Sequence, residues 1–134
     1  MTFAGFQVLL ESCVATRFSS INAEIVGEDL VIPASSFEIE RHGKIAYKPG
    51  IIVRNEILQY PVCIFRNSEN DYQAYLMRCT HQGTELQLFG DRFQCSAHGS
   101  EFASIGTVLR GPAESPLRSF PVNVDKGEIK ISLK

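Results

Sequence analysis

From Ile21 onward the chain alternates apolar and polar positions, or runs through three or four apolar residues, with polar stretches between them. Ile21, Ala23 and Ile25 alternate, Gly27-Glu28-Asp29 turns, and Leu30-Val31-Ile32 runs back to Pro33. A period of two puts successive side chains on opposite faces, so this pattern predicts half-buried strands. Phe37 and Ile39 alternate into Arg41-His42-Gly43-Lys44, a turn, and Ile45 and Tyr47 resume. Pro49-Gly50 punctuates before Ile51-Ile52-Val53, whose unbroken run predicts a buried strand. Val62-Cys63-Ile64-Phe65 repeats that pattern, Asn67 to Asp71 is a polar turn, and Tyr72 to Met77 runs back. Arg92 to Cys95 follows the turn at Gly90-Asp91 as a short strand. Val122 and Val124 face Ile129, Ile131 and Leu133 across Asp125-Lys126-Gly127, a hairpin. The pattern predicts roughly nine or ten strands and no helix, an all-β protein.

With 134 residues the chain is long enough for one domain with a real core. A net charge of −2 and the absence of any Lys/Arg run remove the electrostatic reason to expect nucleic-acid binding. Residues 1–20 separate from 21–134. Phe3, Ala4, Phe6, Val8, Leu9 and Leu10 form an apolar run too short to span a bilayer. It ends in Leu10-Glu11-Ser12-Cys13, which is similar to the cleavage box of a bacterial lipoprotein, although Glu11 departs from that box and no basic stretch precedes the run. Segment 1–20 therefore reads as the remnant of a signal or lipoprotein anchor with a lipid on Cys13. That reading, preferred to a cytoplasmic one, puts the protein at a membrane outside the cytoplasm. The alternative is an ordinary strand or helix with Cys13 a buried thiol.

The chemistry concentrates between Cys79 and Ser100. Cys79-Thr80-His81-Gln82-Gly83 and Cys95-Ser96-Ala97-His98-Gly99-Ser100 contain two of the four cysteines and two of the three histidines. A Cys and a His two apart cannot share a helix face, so the pair belongs on a loop curling around a metal, and the Gly after each His permits the turn. Three readings fit. One is a chance cluster of core cysteines and surface histidines. Another is structural zinc in an interaction module, although zinc usually pairs Cys-x-x-Cys with His-x-x-x-His. The third is a Rieske centre, in which two cysteines hold one iron and two histidines the other. Cys63 lies inside an apolar run and reads as a small core residue, and His42 as a solvated turn residue. Neither a nucleophile–base pair nor a nucleotide-binding glycine pattern is present, so no catalytic residue is expected.

The two Cys/His segments resemble the two halves of the Rieske fingerprint. The similarity continues through Gly106-Thr107-Val108-Leu109-Arg110-Gly111-Pro112-Ala113, which resembles the glycine-proline loop that covers the cluster. Leu117, Phe120, Pro121 and Val122 resemble the strand returning to the base domain. The resemblance implies stacked antiparallel sheets, with a small cluster-binding subdomain at about residues 79–117 inserted into a base domain. It implies one [2Fe-2S] cluster per chain held by Cys79, His81, Cys95 and His98, with Ser100, Gly111 and Pro112 around it. It also implies one-electron transfer to a partner protein docking near His81 and His98. Where high-potential members carry two further cysteines in a disulfide, this chain has Thr84 and Ala97. Where they carry a Tyr donating to a cysteine sulfur, it has Phe102, whereas Ser100 matches the Ser that bonds a bridging sulfide. Each donor to sulfur favours the reduced cluster, so one kept and one lost implies a lowered or intermediate potential. Arg110 and the Gly111-Pro112-Ala113 loop look like the Rieske subunit of a respiratory or quinol-oxidising complex. The missing disulfide looks like a soluble ferredoxin serving an oxygenase.

Overall fold

The computed structural model describes residues 18–134. The apolar run 3–10 and Cys13 lie outside the described residues. In chain order the strands are β1 (Ser20–Asn22), β2 (Glu24–Val26), β3 (Asp29–Pro33), β4 (Glu38–Arg41), β5 (Lys44–Tyr47), β6 (Gly50–Arg54), β7 (Val62–Ser68) and β8 (Asp71–Leu76). After these come β9 (Gln87–Phe89), β10 (Arg92–Gln94), β11 (Glu101–Phe102), β12 (Val108–Arg110), β13 (Ser119–Phe120), β14 (Val122–Asp125) and β15 (Glu128–Ser132). Among the described residues the one helical element is a 3-10 turn, Ala34–Phe37, entered directly from Pro33. The protein is all-β, as its pattern predicts.

Among the described residues fifteen strands replace the nine or ten expected, for two reasons. Some extended runs are shared between sheets. The alternation Ile21, Ala23, Ile25 is one such run: β1 lies parallel to β6, whereas β2 pairs antiparallel with β3. Ala23 is the crossing point, its N–H bonded to the Arg54 carbonyl and its own carbonyl to Asn55 Nδ2. The return stretch is divided likewise, β13 pairing with β8 and β14 with β15, with Pro121 between. The remaining additions, β9, β11 and β12, have two or three residues, too few for a period of two to register.

Two sheets make the base. One runs β1-β6-β7-β8-β13 and the other β14-β15-β3-β2, with β4-β5 as a separate hairpin. Leu30, Ile32, Phe37, Ile51, Val53, Val62, Ile64, Ala74, Ile129 and Ile131 fill the space between them and are almost fully buried. Burying each of the larger of these contributes about 1.5–3 kcal/mol. The chain leaves this base at the end of β8 and comes back beside the same strand, Ser119 opposite Tyr75 and Phe120 opposite Ala74. Between those points lies a third sheet, β12-β11-β10-β9, over a second core. Phe65, Tyr75 and Phe93 form that core's aromatic centre, with ring centroids 5.8–6.3 Å apart. Cys79 and Cys95 belong to it.

Candidate metal centre

Two loops rise from this second core with the same hydrogen-bond pattern. Beyond β8, Met77 and Leu86 bond backbone to backbone and Arg78 bridges Glu85, forming a short ladder whose end is capped by Cys79 N–H to Thr84 O at 2.8 Å. Inside that cap, Gly83 N–H returns to Cys79 O at 2.9 Å. In the second loop Cys95 N–H bonds Ser100 O at 2.8 Å and Gly99 N–H bonds Cys95 O at 3.0 Å. Each loop is thus closed from its Cys to the residue five on, with a glycine four after the Cys. Gly83 and Gly99 have φ of 78° and 83°, a region that side chains disfavour. The equal Cys-to-Gly spacing is present in the sequence; the unequal Cys-to-His spacings conceal it.

The loops sort their side chains by chemistry. Cys79 and Cys95 are buried, 1% and 4% exposed, in the same core. His81 and His98 are exposed, with ring centroids 5.1 Å apart and planes at 88°. Among the described residues no three His, Cys, Asp or Glu side chains group as they would around a single ion. The two imidazoles stand together at the surface, and the two thiols belong to one buried core. A tetrahedral zinc site needs all its ligands on one point, whereas a centre with two irons needs two pairs.

The surroundings of the pairs are polar in specific places. Ser100 is fully buried, and its Oγ accepts the Ala113 N–H at 2.9 Å, which leaves its own hydrogen free to donate. Thr80 Oγ1 donates to the Ser115 carbonyl at 2.6 Å. These two bonds fasten the Gly111-Pro112 loop to both ligand loops, and an open groove of about 480 Å³ lies among Thr80, His81, Pro112, Glu114 and Ser115. Burial acts to raise the Cys95 thiol, but hydrogen bonds from the Ala97 and His98 backbone N–H groups and the side chains of Cys79 and Thr84 outweigh it. The thiol is held below its ordinary value. Phe102 is fully buried and brings no hydroxyl. Cys63 sits apart in the core as a free thiol that burial pushes well up. His42 is exposed in the β4–β5 turn.

The sequence marks Thr84 only as the place of an absent cysteine, and the structure gives its carbonyl the cap on Cys79. Thr80 and Tyr60 were not marked at all. Tyr60 donates its hydroxyl to the Gly83 carbonyl at 2.5 Å from the connection between β6 and β7. No local pattern announces these contacts, because each joins residues from separate segments of the chain.

Two exposed imidazoles and two buried thiols on loops of an all-β scaffold are the ligand types of a two-iron iron–sulfur centre. The family follows from comparison: the sequence model of the Rieske [2Fe-2S] domain matches residues 35–121, and the chain belongs to that family. It is 32% identical over 113 residues to the cytochrome b6-f complex iron-sulfur subunit 1 of Synechocystis sp. PCC 6803, covering 81% of this chain and 61% of the relative. It is 31% identical over 130 residues to a cytochrome b6-f complex iron-sulfur subunit 2 of Nostoc sp. PCC 7120, covering 88% and 71%. Among solved structures, the plasma membrane Rieske protein of Synechocystis PCC 6803 superposes with a TM-score of 0.52 at 28% identity, over 63% of this chain and 86% of that one. A chain from the complex of reduced oxygenase and oxidized ferredoxin in carbazole 1,9a-dioxygenase gives 0.54 at 28% identity, over 78% and 91%. The matches span 22%, 32% and 61% of the lengths of three curated cytochrome b6-f relatives. The domain is one that binds a [2Fe-2S] cluster, which sets the zinc reading aside.

Proposed function

We propose that Cys79 and Cys95 hold one iron of the cluster and His81 and His98 the other, within a cluster-binding subdomain of about residues 79–117. The observation that carries this reading is the pairing of buried thiols and exposed imidazoles. When bound, the cluster supplies a one-electron couple. The residues of the chain do the rest. The matched backbone closures fix both loops, so little rearrangement accompanies a change of charge. The exposed His81 and His98 offer the contact face to a partner, and the buried Cys79 and Cys95 keep water from the sulfur side. Ser100 keeps a free hydroxyl hydrogen that would serve a cluster sulfur, and the Gly111-Pro112 loop holds Ser100 in place through Ala113.

The redox partner we assign is a membrane quinol-oxidising complex, supported by the cytochrome b6-f relatives and by the plasma membrane Rieske protein. A lipid on Cys13, at an extracytoplasmic membrane face, belongs to the same reading. A soluble ferredoxin feeding an oxygenase is the second reading, favoured by the 91% coverage of the chain from the oxygenase–ferredoxin complex. Intact mass of protein recovered from membrane and soluble fractions separates them. Acylated Cys13 in the membrane fraction supports the first reading. An unmodified chain confined to the soluble fraction overturns it in favour of the second.

A further inference from the structure

The β4–β5 hairpin stands apart from both base sheets, and its two faces differ in charge. Cross-strand partners share a face, and so do residues two apart on one strand. The register of Glu38 with Tyr47 and of Glu40 with Ile45 therefore gathers both glutamates on one face. Ile39, Arg41, Lys44 and Ala46 share the other. That second face borders an open groove of about 200 Å³, where Phe18, Ile39 and Pro49 lie with Arg41 and Lys48. No acidic residue lines the groove among the described residues. Arg41, Lys44 and Lys48 make no ion pair among them, and Lys48 Nζ donates to Ser19 Oγ at 3.2 Å.

Phe18 fixes the chain's entry to the same groove. Its ring leaves no room for a Cβ on Gly50 and meets Phe65 edge-on, with centroids 5.9 Å apart. Cys13 precedes Phe18 by five positions, so a lipid on Cys13 would keep the groove within about 18 Å of a bilayer surface. The groove adjoins the middle of β7, Pro49 O accepting from Arg66 N–H and Gly50 lying opposite Phe65. The first ligand loop leaves beyond Leu76, which lies opposite Val62 at the start of β7. Lipid held at the groove thus leaves that loop free for a redox partner.

We propose that this groove docks the protein on an anionic bilayer, with a lipid phosphate among Arg41, Lys44 and Lys48 and the top of its acyl chain against Phe18, Ile39 and Pro49. The proposal rests on the membrane reading of the preceding subsection. An apolar lining alone would suit many occupants. Three cations around it, in a chain of net charge −2, select an anionic one. The short connection to Cys13 brings a bilayer within reach, and each cation near such a surface adds to the attraction.

Co-sedimentation of the holoprotein, with Cys13 unacylated, tests this apart from the anchor. The vesicles are phosphatidylcholine with and without phosphatidylglycerol. Binding should require phosphatidylglycerol and weaken as salt rises. Arg41→Gln, Lys44→Gln and Lys48→Gln should each weaken it about fivefold, the effect of one cation at an anionic surface. Lys134→Gln removes the same charge at the C-terminus and should leave binding unchanged. Equal losses in all four variants would reduce the effect to net charge and overturn the proposal. Binding to both kinds of vesicle that no variant weakens would assign it to residues 1–17 and overturn the groove likewise. Hydrogen exchange in β4–β5 should slow on the phosphatidylglycerol vesicles. Slowing that follows protein concentration without lipid would give the groove to a second copy of the chain, against the proposal. Unmodified Cys13 in membrane-derived protein would remove the anchor and not the groove, whereas wild type that ignores phosphatidylglycerol removes the groove and not the anchor.

Discussion

Ser100 is fully buried, and a buried hydroxyl is stable only where its bonds are made. It accepts from Ala113, which leaves its own hydrogen to donate. Ser100→Ala should lower the midpoint potential by about 60–130 mV, the equivalent of a charge-assisted bond of about 1.5–3 kcal/mol for one electron. Phe102→Tyr should raise it, and voltammetry of the three proteins at one pH checks both. Cys63 makes a different prediction. Burial raises its thiol in the folded chain, so its contribution to stability is complete below the unfolded thiol range of about 8.5 and is lost as pH rises above it. In anaerobic urea unfolding, the stability gap between wild type and Cys63→Ala should narrow above that pH by about 1.4 kcal/mol per unit. Cys63 as a core residue and His42 as a turn residue were legible in sequence, because each takes its character from its immediate neighbours. The cap that Thr84 puts on Cys79 was not, because it depends on how the loop between them closes.

Strands declared themselves where they ran to five or more residues, as in β3, β6, β7, β8 and β15. Arg92 to Cys95 was legible as a strand, but β9, β11 and β12 beside it were not, because they are held by cross-strand partners and not by their own pattern. Phe93 opposite Phe102 is the clearest such pair, both side chains fully buried. The β11–β12 turn shows how tightly these short pieces are set. Gly106 has φ of 85°, donates to Ala103 O, and accepts from Leu117 N–H at 2.9 Å. A Cβ there would lie 2.8 Å from the Tyr75 ring on β8. Gly106→Ala combines a disfavoured backbone with overpacking and should cost about 1–3 kcal/mol. Thermal melting of holoprotein reads that loss, and an unchanged melting temperature would mean that Tyr75 moves aside freely.

At the scale of the molecule two cores share β7 and β8, and only one of them includes the thiols. The base core is closed by long, aliphatic, fully buried strands and depends on no metal. The second core holds Cys79 and Cys95 among Met77, Leu86, Phe93 and Leu117, under strands of two or three residues. Removing the cluster by anaerobic chelation should therefore speed hydrogen exchange across β9–β12 while β3, β6, β7 and β15 stay protected. Uniformly lost protection would mean that the two cores unfold as one. The central claim is that two histidines share one iron of this cluster. Pulsed electron paramagnetic resonance of the reduced protein, labelled with nitrogen-15 histidine, tests it most directly. Of the three histidines, two should couple to the electron spin, and His42→Gln should leave both couplings in place. A reduced protein with no histidine coupling, or one whose coupling disappears with His42, would contradict the assignment.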